Sequence, residues 1–237
     1  MKHQYFGDKR DLFKYDLILH LSKELNLKNA YFISMLTKND KSKQGNEINY
    51  KNSIGSNNFG LIKFLKNKRD NKKEKRNANL ISEYYKLQDV KIKFCVKEQI
   101  DYFSNKNRLD YFDSISKEIK NVKGILFFDP DNGLEVLNNK EKHIKYIELK
   151  KIYNEIDKSS VIVIYQHRQR FSKENNWEEY LKDKTFELEI LFDNEAYFIA
   201  EDEIAFFIIA KHSGLNNKIK NSLIEYQNLY KKLFLKV

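Results

Sequence analysis

The feature that most constrains the fold is an apolar run at residues 161–165, Val-Ile-Val-Ile-Tyr. Such a run does not alternate between apolar and polar side chains, and is therefore typical of a strand that is buried on both faces. Residues 125–128, Ile-Leu-Phe-Phe, have the same character. Both runs predict central strands of a mostly parallel sheet that is covered by helices on its two sides.

Helical and strand patterns alternate along most of the chain. The helix pattern is clearest where Phe13, Leu17, Leu21 and Leu25 repeat at a spacing of four residues. The predicted helices cover residues 8–25, 61–87 (with a basic interruption), 101–120, 144–156, 177–182 and 217–234. The predicted strands cover residues 30–36, 90–96, 125–128, 161–165, 186–192, 197–199 and 204–210.

This order predicts the fold class. Helix–strand alternation followed by strands with no helix between them indicates an α/β chain with a doubly wound, mostly parallel Rossmann-like sheet and antiparallel C-terminal strands. No linker or internal repeat divides the sequence, so we predict one domain over residues 1–237. A polar and basic stretch at about residues 37–88 is interpreted as an insertion in that domain.

The positive net charge of the chain favours a polyanionic partner. The chain carries a formal net charge of +10 and has a pI of about 9.3. Lysine and arginine bind phosphates with release of counterions, so nucleic acid is the expected partner. A basic run at residues 66–76 contains three candidate phosphate contacts, Lys72, Lys73 and Arg76. The alternative is an ordinary solvated surface in a chain whose composition is biased towards Lys, Asn, Ile and Tyr.

The cellular compartment of the protein is inferred from features that the sequence lacks. Cys95 is the only cysteine in the 237 residues, which excludes an internal disulfide and a cysteine-rich zinc site. The sequence has no apolar signal region near Met1 and no apolar run of the roughly 20 residues that span a bilayer. We therefore expect a cytoplasmic protein that does not bind membranes.

The strongest candidate site is the segment Asp129-Pro130-Asp131-Asn132. It directly follows the apolar run 125–128, and so it stands at the carboxyl end of a central strand. In open α/β sheets that end is where ligands bind. Two carboxylates and an amide in one turn can bind a metal, an amine or a ribose. The alternative is a plain turn, because Asp, Pro and Asn are all common turn residues.

A second candidate site follows the strand at 161–165. It contains Gln166, His167, Arg168 and Arg170. His167 can act as a general base or a metal ligand, and either arginine can bind a phosphate through two hydrogen bonds. The alternative is a solvated loop that caps the next helix. We expect this segment to lie beside the Asp129 turn, in a shared crevice.

The third candidate lies at the amino end of the chain. Asp8 is a good N-cap for the first helix, and Asp8, Asp11 and Lys14 follow one another at a spacing of three residues on one helix face. Ion pairs along a helix surface are a sufficient structural explanation for this spacing.

The same residues carry a resemblance to a known family. The segment that begins at Gly7 resembles the N-terminal motif Gly-Asn-x-Ala-Asp-x-x-Lys-His of the large-subunit ribosomal RNA adenine-N6 methyltransferases. Gly7, Asp11 and Lys14 match this motif, while Asp8 and Tyr15 replace its Asn and His.

A second motif of that class also has a counterpart here. The segment 129–132 stands where amino-methyltransferases carry (Asp/Asn)-Pro-Pro-(Tyr/Phe), and the last strands are similar to the end of the class I methyltransferase sheet. The resemblance implies a Rossmann-like fold, S-adenosylmethionine as cofactor, a target base amine over Asp129, and Lys14 nearby.

Three functions remain open at this point. The first is S-adenosylmethionine-dependent methyl transfer to a base amine, with Asp129 accepting a hydrogen bond from the amine and Pro130 shaping the pocket. The second is a nuclease in which Asp129 and Asp131 bind Mg²⁺ and His167 or Arg170 contacts the phosphate. The third is a non-catalytic relative that binds nucleic acid or a protein, because residues 37–45 lack the Gly-x-Gly of a cofactor loop.

Overall fold

A computed structural model describes residues 2–39, 47–71, 76–95, 102–136, 141–168 and 176–237. Within these residues the helices are α1 (Lys9–Glu24), α2 (Phe59–Asp70), α3 (Ile81–Leu87), α4 (Arg108–Glu118), α5 (Tyr146–Glu155), α6 (Trp177–Phe192) and α7 (Asn216–Leu229). The strands are β1 (Asn29–Ser34), β2 (Lys91–Phe94), β3 (Ile125–Asp129), β4 (Gly133–Leu134), β5 (His143–Ile144), β6 (Val161–His167), β7 (Ala196–Ala200), β8 (Ile204–Ala210) and β9 (Phe234–Lys236).

Seven of the described strands form one sheet in the order β2-β1-β3-β6-β8-β7-β9. The first four are parallel, and β8 and β9 run antiparallel to their neighbours. The protein therefore has the predicted α/β fold with a Rossmann-like, doubly wound sheet and an antiparallel end. The short strands β4 and β5 pair separately, directly after the Asp129 turn.

Helices cover both faces of the sheet, as the apolar central strands require. One core packs α1, α2, α3 and α7 on the first face, and the other packs α4, α5 and α6 on the second. Every residue of β3 is buried. Among the described helices, none combines the length and the apolar composition needed to cross a membrane.

The start of α1 is fixed by its own sequence. Asp8 is the N-cap, as predicted, and its side chain accepts a hydrogen bond of 2.8 Å from the backbone N–H of Asp11. Gly7 precedes it with a φ of 84°, a left-handed conformation that glycine adopts at little cost. The hydroxyl of Tyr50 donates to the carbonyl of Gly7. This turn orients α1 so that most of its residues are buried.

Two predicted elements near the carboxyl terminus are wrong. Residues 186–192 alternate in polarity, which predicted a strand, but they form the second half of α6. In the helix Leu181, Leu188 and Phe192 are buried on one face, whereas Phe186 and Ile190 are 61% and 67% exposed. Packing of that buried stripe on the sheet outweighs the alternating pattern.

The last helix is also shorter than predicted. It ends at Leu229, and Phe234 belongs to β9, which pairs with β7 at the sheet edge.

The helix α4 begins later than predicted. The prediction placed its start at residue 101, but it begins at Arg108, after a short 3-10 turn (Asn105–Asn107). Ser104 and Asn107 form a capping box for that 3-10 turn, which leads directly into the helix.

The segment at residues 37–88 forms the connection between β1 and β2. Its helices α2 and α3 bury Leu61, Leu65, Ile81 and Tyr85 in the first core. The hydroxyl of Tyr85 donates to the backbone carbonyl of Tyr15 over 2.6 Å. The polar and basic sequence thus lies on a crossover whose inner side is part of the fold.

Candidate functional site

The site lies where the order of the parallel strands reverses. The chain leaves β1 for β2 on one side, and the next strand in sequence, β3, pairs with β1 on the other side. Ser34 and Asp129 are opposite each other in the register, at the carboxyl ends of β1 and β3. Such a switch point opens a crevice outside the strand ends, where ligands bind in open α/β sheets.

The turn after β3 is held against the end of β6. The side chain of Gln166 donates to the carbonyl of Asn132 over 2.9 Å and accepts from the backbone N–H of Leu134 over 2.9 Å. The backbone N–H of His167 donates to the same carbonyl of Asn132 over 3.1 Å. The two predicted segments are therefore neighbours at one edge of the sheet.

Glycine is required inside this turn. Gly133 has a φ of 116°, and a Cβ built there would lie 2.2 Å from Oε1 of Gln166. The buried amide of Gln166 thus occupies the space that a side chain at residue 133 would need. Its hydrogen bonds are made to the backbone of the turn, so it positions the acidic segment.

A chain of buried charges runs from α1 to the end of β3. The ammonium of Lys14 donates to Oδ2 of Asp129 over 2.8 Å and to Oδ1 of Asp11 over 3.0 Å. Asp11 Oδ2 in turn accepts from the backbone N–H of Gly7 over 3.0 Å. Thus the motif residues of α1 and the acidic turn, 115 positions apart in sequence, form one cluster.

Aromatic rings surround the ammonium of Lys14. It lies 5.8 Å from the ring centroid of Tyr15, 5.9 Å from that of Phe127 and 5.4 Å from that of Tyr165. Burial opposes the charge of Lys14, but the carboxylates of Asp11 and Asp129 outweigh burial and raise its pKa above the ordinary value. The lysine is therefore a fixed cation under the Asp129 turn.

Acidic groups exceed cations in this cluster. Burial, together with the nearby charge of Asp11, raises the pKa of Asp8 to about 7. Burial also raises the pKa of Asp11, against the opposing effect of Lys14. Lys14 thus contacts two carboxyl groups while a third, that of Asp8, lies nearby, and near neutral pH the proton of Asp8 is only partly released.

Two buried hydroxyls beside this cluster have no hydrogen-bond partner among the described residues. They are the phenol of Tyr15 on α1 and Oγ of Ser34 at the end of β1. Both side chains are almost fully buried, at 1% and 2% exposure. Because a buried polar group without a partner is costly, such groups mark a site where a ligand supplies the missing partner.

No family model matches this sequence, and no curated protein aligns with it significantly. The chemistry of the site therefore has to be read from its own geometry.

The second acid of the turn has different partners from the first. Asp131 Oδ2 accepts from the hydroxyl of Thr37 over 3.0 Å, and the ammonium of Lys142 lies 3.9 Å away. Although burial acts in the opposite direction, these two groups contribute to a pKa of Asp131 that is below its ordinary value. Asp131 is therefore an ionised carboxylate next to the chain that leaves β1.

The basic and imidazole groups of the second segment are less enclosed. His167 is half-buried, and its Nδ1 lies 3.4 Å from the hydroxyl of Tyr165. Arg168 is exposed, and its guanidinium donates to the carbonyl of Asp202 over 3.2 Å. Arg170 lies outside the described residues. The histidine thus borders the Lys14 cluster, while Arg168 points along the edge towards the β7–β8 turn.

The basic run at 66–76 makes contacts within the protein. Lys68 pairs with Glu83 over 2.9 Å, and Arg69 pairs with the neighbouring Asp70 over 2.8 Å. Arg76 donates to the backbone carbonyl of Gln4 over 2.9 Å. Lys72 and Lys73 lie outside the described residues. The described part of this run therefore joins α2 to α3, and the chain after α2 to the amino-terminal segment.

A two-carboxylate metal site is not supported by this geometry. Asp129 faces Lys14, whereas Asp131 faces Thr37, and the part of the chain that the structure describes contains no group of three metal-ligating side chains. Glu148, in the segment 144–156 that is predicted to be a helix, lies on α5 and pairs with Arg108 on the opposite face of the sheet. As expected from its spacing, this segment is a helix, not a strand.

Sequence reasoning missed four side chains of the site: Ser34, Tyr15, Thr37 and Tyr165. Ser34 ends an otherwise apolar strand next to the predicted switch point, which is the signal that could have identified it. Tyr15 stands within the motif that begins at Gly7, at a position where this sequence departs from the motif. Thr37 and Tyr165 depend on the pairing of β1 and β6 with β3, which sequence alone does not give.

Proposed function

We propose that this chain is an S-adenosylmethionine-dependent methyltransferase that acts on a base amine in nucleic acid. The observation that carries the proposal is the contact between Lys14 and Asp129 at the switch point of the sheet. It joins the two segments that separately resemble methyltransferase motifs, in the crevice where this fold binds its ligands.

The crevice offers suitable partners for the cofactor. Ser34 Oγ is a buried hydroxyl without a partner among the described residues, and Asp131 is an ionised carboxylate beside it along the strand ends. Ser34, Thr37 and Asp131 would hold the polar groups of the cofactor, which supplies a methyl group on positively charged sulfur. The described residues 35–39 contain no glycine, so these contacts would come from side chains.

Asp129 is placed to orient the target amine. One of its oxygens is bound by Lys14, while Oδ1 has no hydrogen-bond partner within the described ranges. Oδ1 would accept a hydrogen bond from the base amine and so turn the nitrogen lone pair towards the cofactor. Lys14 holds this carboxylate in place, and the adjacent Pro130, which is buried, would shape the pocket.

Nucleic acid is the proposed partner because of charge and target chemistry. The net charge of +10 favours phosphate binding, and base amines become reachable when a base is turned out of its stack. The nuclease alternative has less support, because Lys14 already contacts Oδ2 of Asp129 and Asp131 binds a different partner, Thr37.

Calorimetric binding of S-adenosylhomocysteine, the product form of the cofactor, tests the first half of this proposal. The wild-type protein should bind it, and Asp131→Asn should weaken binding by about tenfold through loss of a charged hydrogen bond. Asp113→Asn, which changes an exposed carboxylate on α4, should bind like the wild type. Absence of binding to the wild-type protein would contradict the proposal.

Transfer of tritiated methyl groups to RNA and DNA tests the second half. Asp129→Ala should abolish incorporation and leave S-adenosylhomocysteine binding within about threefold of the wild type, because Asp129 is assigned to the substrate. A rise in melting temperature with Mg²⁺ that disappears in Asp129→Ala would instead support the nuclease. Salt-sensitive binding of nucleic acid without either response would support a non-catalytic protein.

A further inference from the structure

A second cavity lies along the same edge of the sheet. The turn between β7 and β8 is adjacent to the end of β6, since the backbone N–H of Arg168 donates to the carbonyl of Glu203 over 2.8 Å. Between this turn, the start of α1 and the loop at 47–54 is a cavity of about 460 Å³. Cavities of this size hold ligands as large as a nucleotide. Lys9, Lys51, Glu201 and Lys232 are among the residues that line it.

Most charges near this cavity neutralise one another. Lys9 pairs with Glu47 over 2.8 Å and with Glu203 over 3.4 Å. Arg10 also pairs with Glu203, at 3.0 Å. These contacts hold the loop and the turn to the first turn of α1, so that the walls of the cavity are fixed by ion pairs.

The carboxylate of Glu201 is not neutralised in this way. It lines the cavity but makes no hydrogen bond or ion pair within the described part of the chain. Burial raises its pKa above the ordinary value, partly offset by the charge of Lys9. A partly buried carboxylate without a donor is costly, so the cavity is suited to a ligand that brings N–H donors.

The rim has the opposite charge. Lys51 and Lys232 line the cavity and are both exposed. Neither ammonium has an ion-pair partner among residues that the structure describes, so both are available to an anion. The cavity thus combines an acceptor inside with two cations outside, a pattern that matches a base joined to a phosphate.

We propose that this cavity binds one nucleotide of a single-stranded nucleic acid, with a guanine base against Glu201 and its phosphate between Lys51 and Lys232. Guanine presents two neighbouring N–H donors on its Watson–Crick edge, which match the two oxygens of a carboxylate. The inference rests on the proposed function only in that the substrate is a nucleic acid.

The position of the cavity relative to Asp129 supports a shared substrate. Lys9 lines the cavity and Lys14 contacts Asp129, and the two residues are five positions apart on α1. At 1.5 Å per residue their backbones are separated by roughly 7.5 Å along the helix. One oligonucleotide can therefore place a guanine in the cavity while another of its bases reaches Asp129. The cavity then reads sequence next to the modified base.

Fluorescence anisotropy with single-stranded RNA tests this proposal in the absence of cofactor. The probes are dye-labelled octauridine strands with one central guanosine or one central inosine, which lacks the exocyclic amine. The wild-type protein should prefer guanosine by about tenfold, the effect of a hydrogen bond to a charged group. Glu201→Gln should reduce this preference to below about threefold. Glu225→Gln, an exposed acid on α7, should retain it.

The lysines are tested by the dependence of binding on salt. Lys51→Met with Lys232→Met should weaken both probes equally and reduce the slope of log K against log salt by about 0.7, since both lysines are assigned to one phosphate and each single-strand phosphate contact contributes about 0.7. Lys218→Met with Lys220→Met, on exposed positions of α7, should have a smaller effect. An unchanged guanosine preference in Glu201→Gln, or no preference in the wild type, would overturn the proposal.

Failure of the two proposals can be told apart. Glu201→Gln should bind S-adenosylhomocysteine as the wild type does. Glu201 follows β7 and Asp131 follows β3, and these two strands are not neighbours in the sheet. A Glu201-dependent guanosine preference in a protein that binds no S-adenosylhomocysteine would refute the methyl transfer and keep the nucleotide site. Cofactor binding without guanosine preference would do the reverse.

Discussion

Two buried ion pairs lie on opposite faces of the same sheet, and they differ in how completely their groups are paired. On the second face, Arg108 contacts both oxygens of Glu148 and also donates to the carbonyl of His143 over 2.7 Å. Glu148 further accepts from the backbone N–H of Lys145 over 2.9 Å. This pair joins α4 to the start of α5, and its charges balance.

On the first face the charges do not balance. The ammonium of Lys14 contacts the carboxyl groups of Asp11 and Asp129, and the carboxyl group of Asp8 lies nearby. Two hydroxyls beside this cluster have no partner within the described chain. A balanced, fully hydrogen-bonded pair is explained by folding alone. An excess of acid next to unsatisfied donors costs stability, and this cost is expected where a protein binds a ligand. This difference in charge balance is the reason for placing the proposed ligand site on the first face.

The largest expected effect is that of removing Lys14. Lys14→Met should lower the free energy of unfolding by about 3–5 kcal/mol at pH 8, because it leaves Asp11 and Asp129 buried without their cation. The loss should shrink towards pH 5, since the uncompensated carboxyl groups then take up protons. Urea denaturation at both pH values measures this. A loss of under 1 kcal/mol would mean that the cluster is solvated.

On the second face, removing both members of the Arg108–Glu148 pair should change the free energy of unfolding much less than removing one. Arg108→Met alone should cost about 3–5 kcal/mol, but Arg108→Met with Glu148→Leu should return to within about 1 kcal/mol of the wild type. Both proteins should bind S-adenosylhomocysteine with unchanged affinity. A double variant with impaired cofactor binding would show that this face also takes part in function.

A smaller effect is expected from Asp8, through its pKa of about 7. The folded state holds this proton more tightly than the unfolded state, whose pKa is near 3.8, so stability should fall as the pH rises from about 4 to 7. Asp8→Asn keeps the N-cap but removes the titration. It should be more stable than the wild type by about 1–3 kcal/mol at pH 8 and similar to it at pH 4.

Thermal and urea denaturation across this pH range provide the measurement. Asp113→Asn, an exposed carboxylate that pairs with Lys151, serves as control and should leave the pH dependence unchanged. A parallel pH profile for Asp8→Asn and the wild type would show that the Asp8 carboxyl titrates normally in the folded state.

The sequence predicted the parts of this molecule that depend on local pattern. The central strands followed from runs with no polar alternation, and Asp8 followed from N-cap preference. For residues 186–192 the same kind of pattern gave a wrong prediction. A period of two residues also repeats every four residues, so it can place Leu188 and Phe192 on one buried helix face. Only packing on the sheet decides between these two structures.

The site was predictable only where a strand end could be located. Asp129 and Gln166 were identified because each follows an apolar run, and their strands proved to be neighbours. The contact of Lys14 with Asp129 was implied by a resemblance, not by any pattern in the residues themselves. Glu201 escaped notice, since a carboxylate in a turn carries no signal until its lack of a partner is seen.

The smallest predicted effect is the change in stability when a buried tyrosine hydroxyl is removed. It should differ between a hydroxyl that has a hydrogen-bond partner and one that has none. Tyr15 has a hydroxyl without a partner in the described structure, whereas the hydroxyl of Tyr111 donates to the carbonyl of Ser34 over 2.9 Å. Tyr15→Phe should therefore raise the stability of the ligand-free protein by up to about 1 kcal/mol, and Tyr111→Phe should lower it by about 1 kcal/mol.

The same pair of variants connects stability with binding. If the Tyr15 hydroxyl is kept for a ligand, Tyr15→Phe should lose affinity for nucleic acid or S-adenosylhomocysteine while it gains stability. Tyr111→Phe, whose hydroxyl already has its partner, should lose stability without a comparable loss of affinity. Equal destabilisation in both would mean that Tyr15 finds a partner in solution, and its missing hydrogen bond would no longer distinguish the first face from the second.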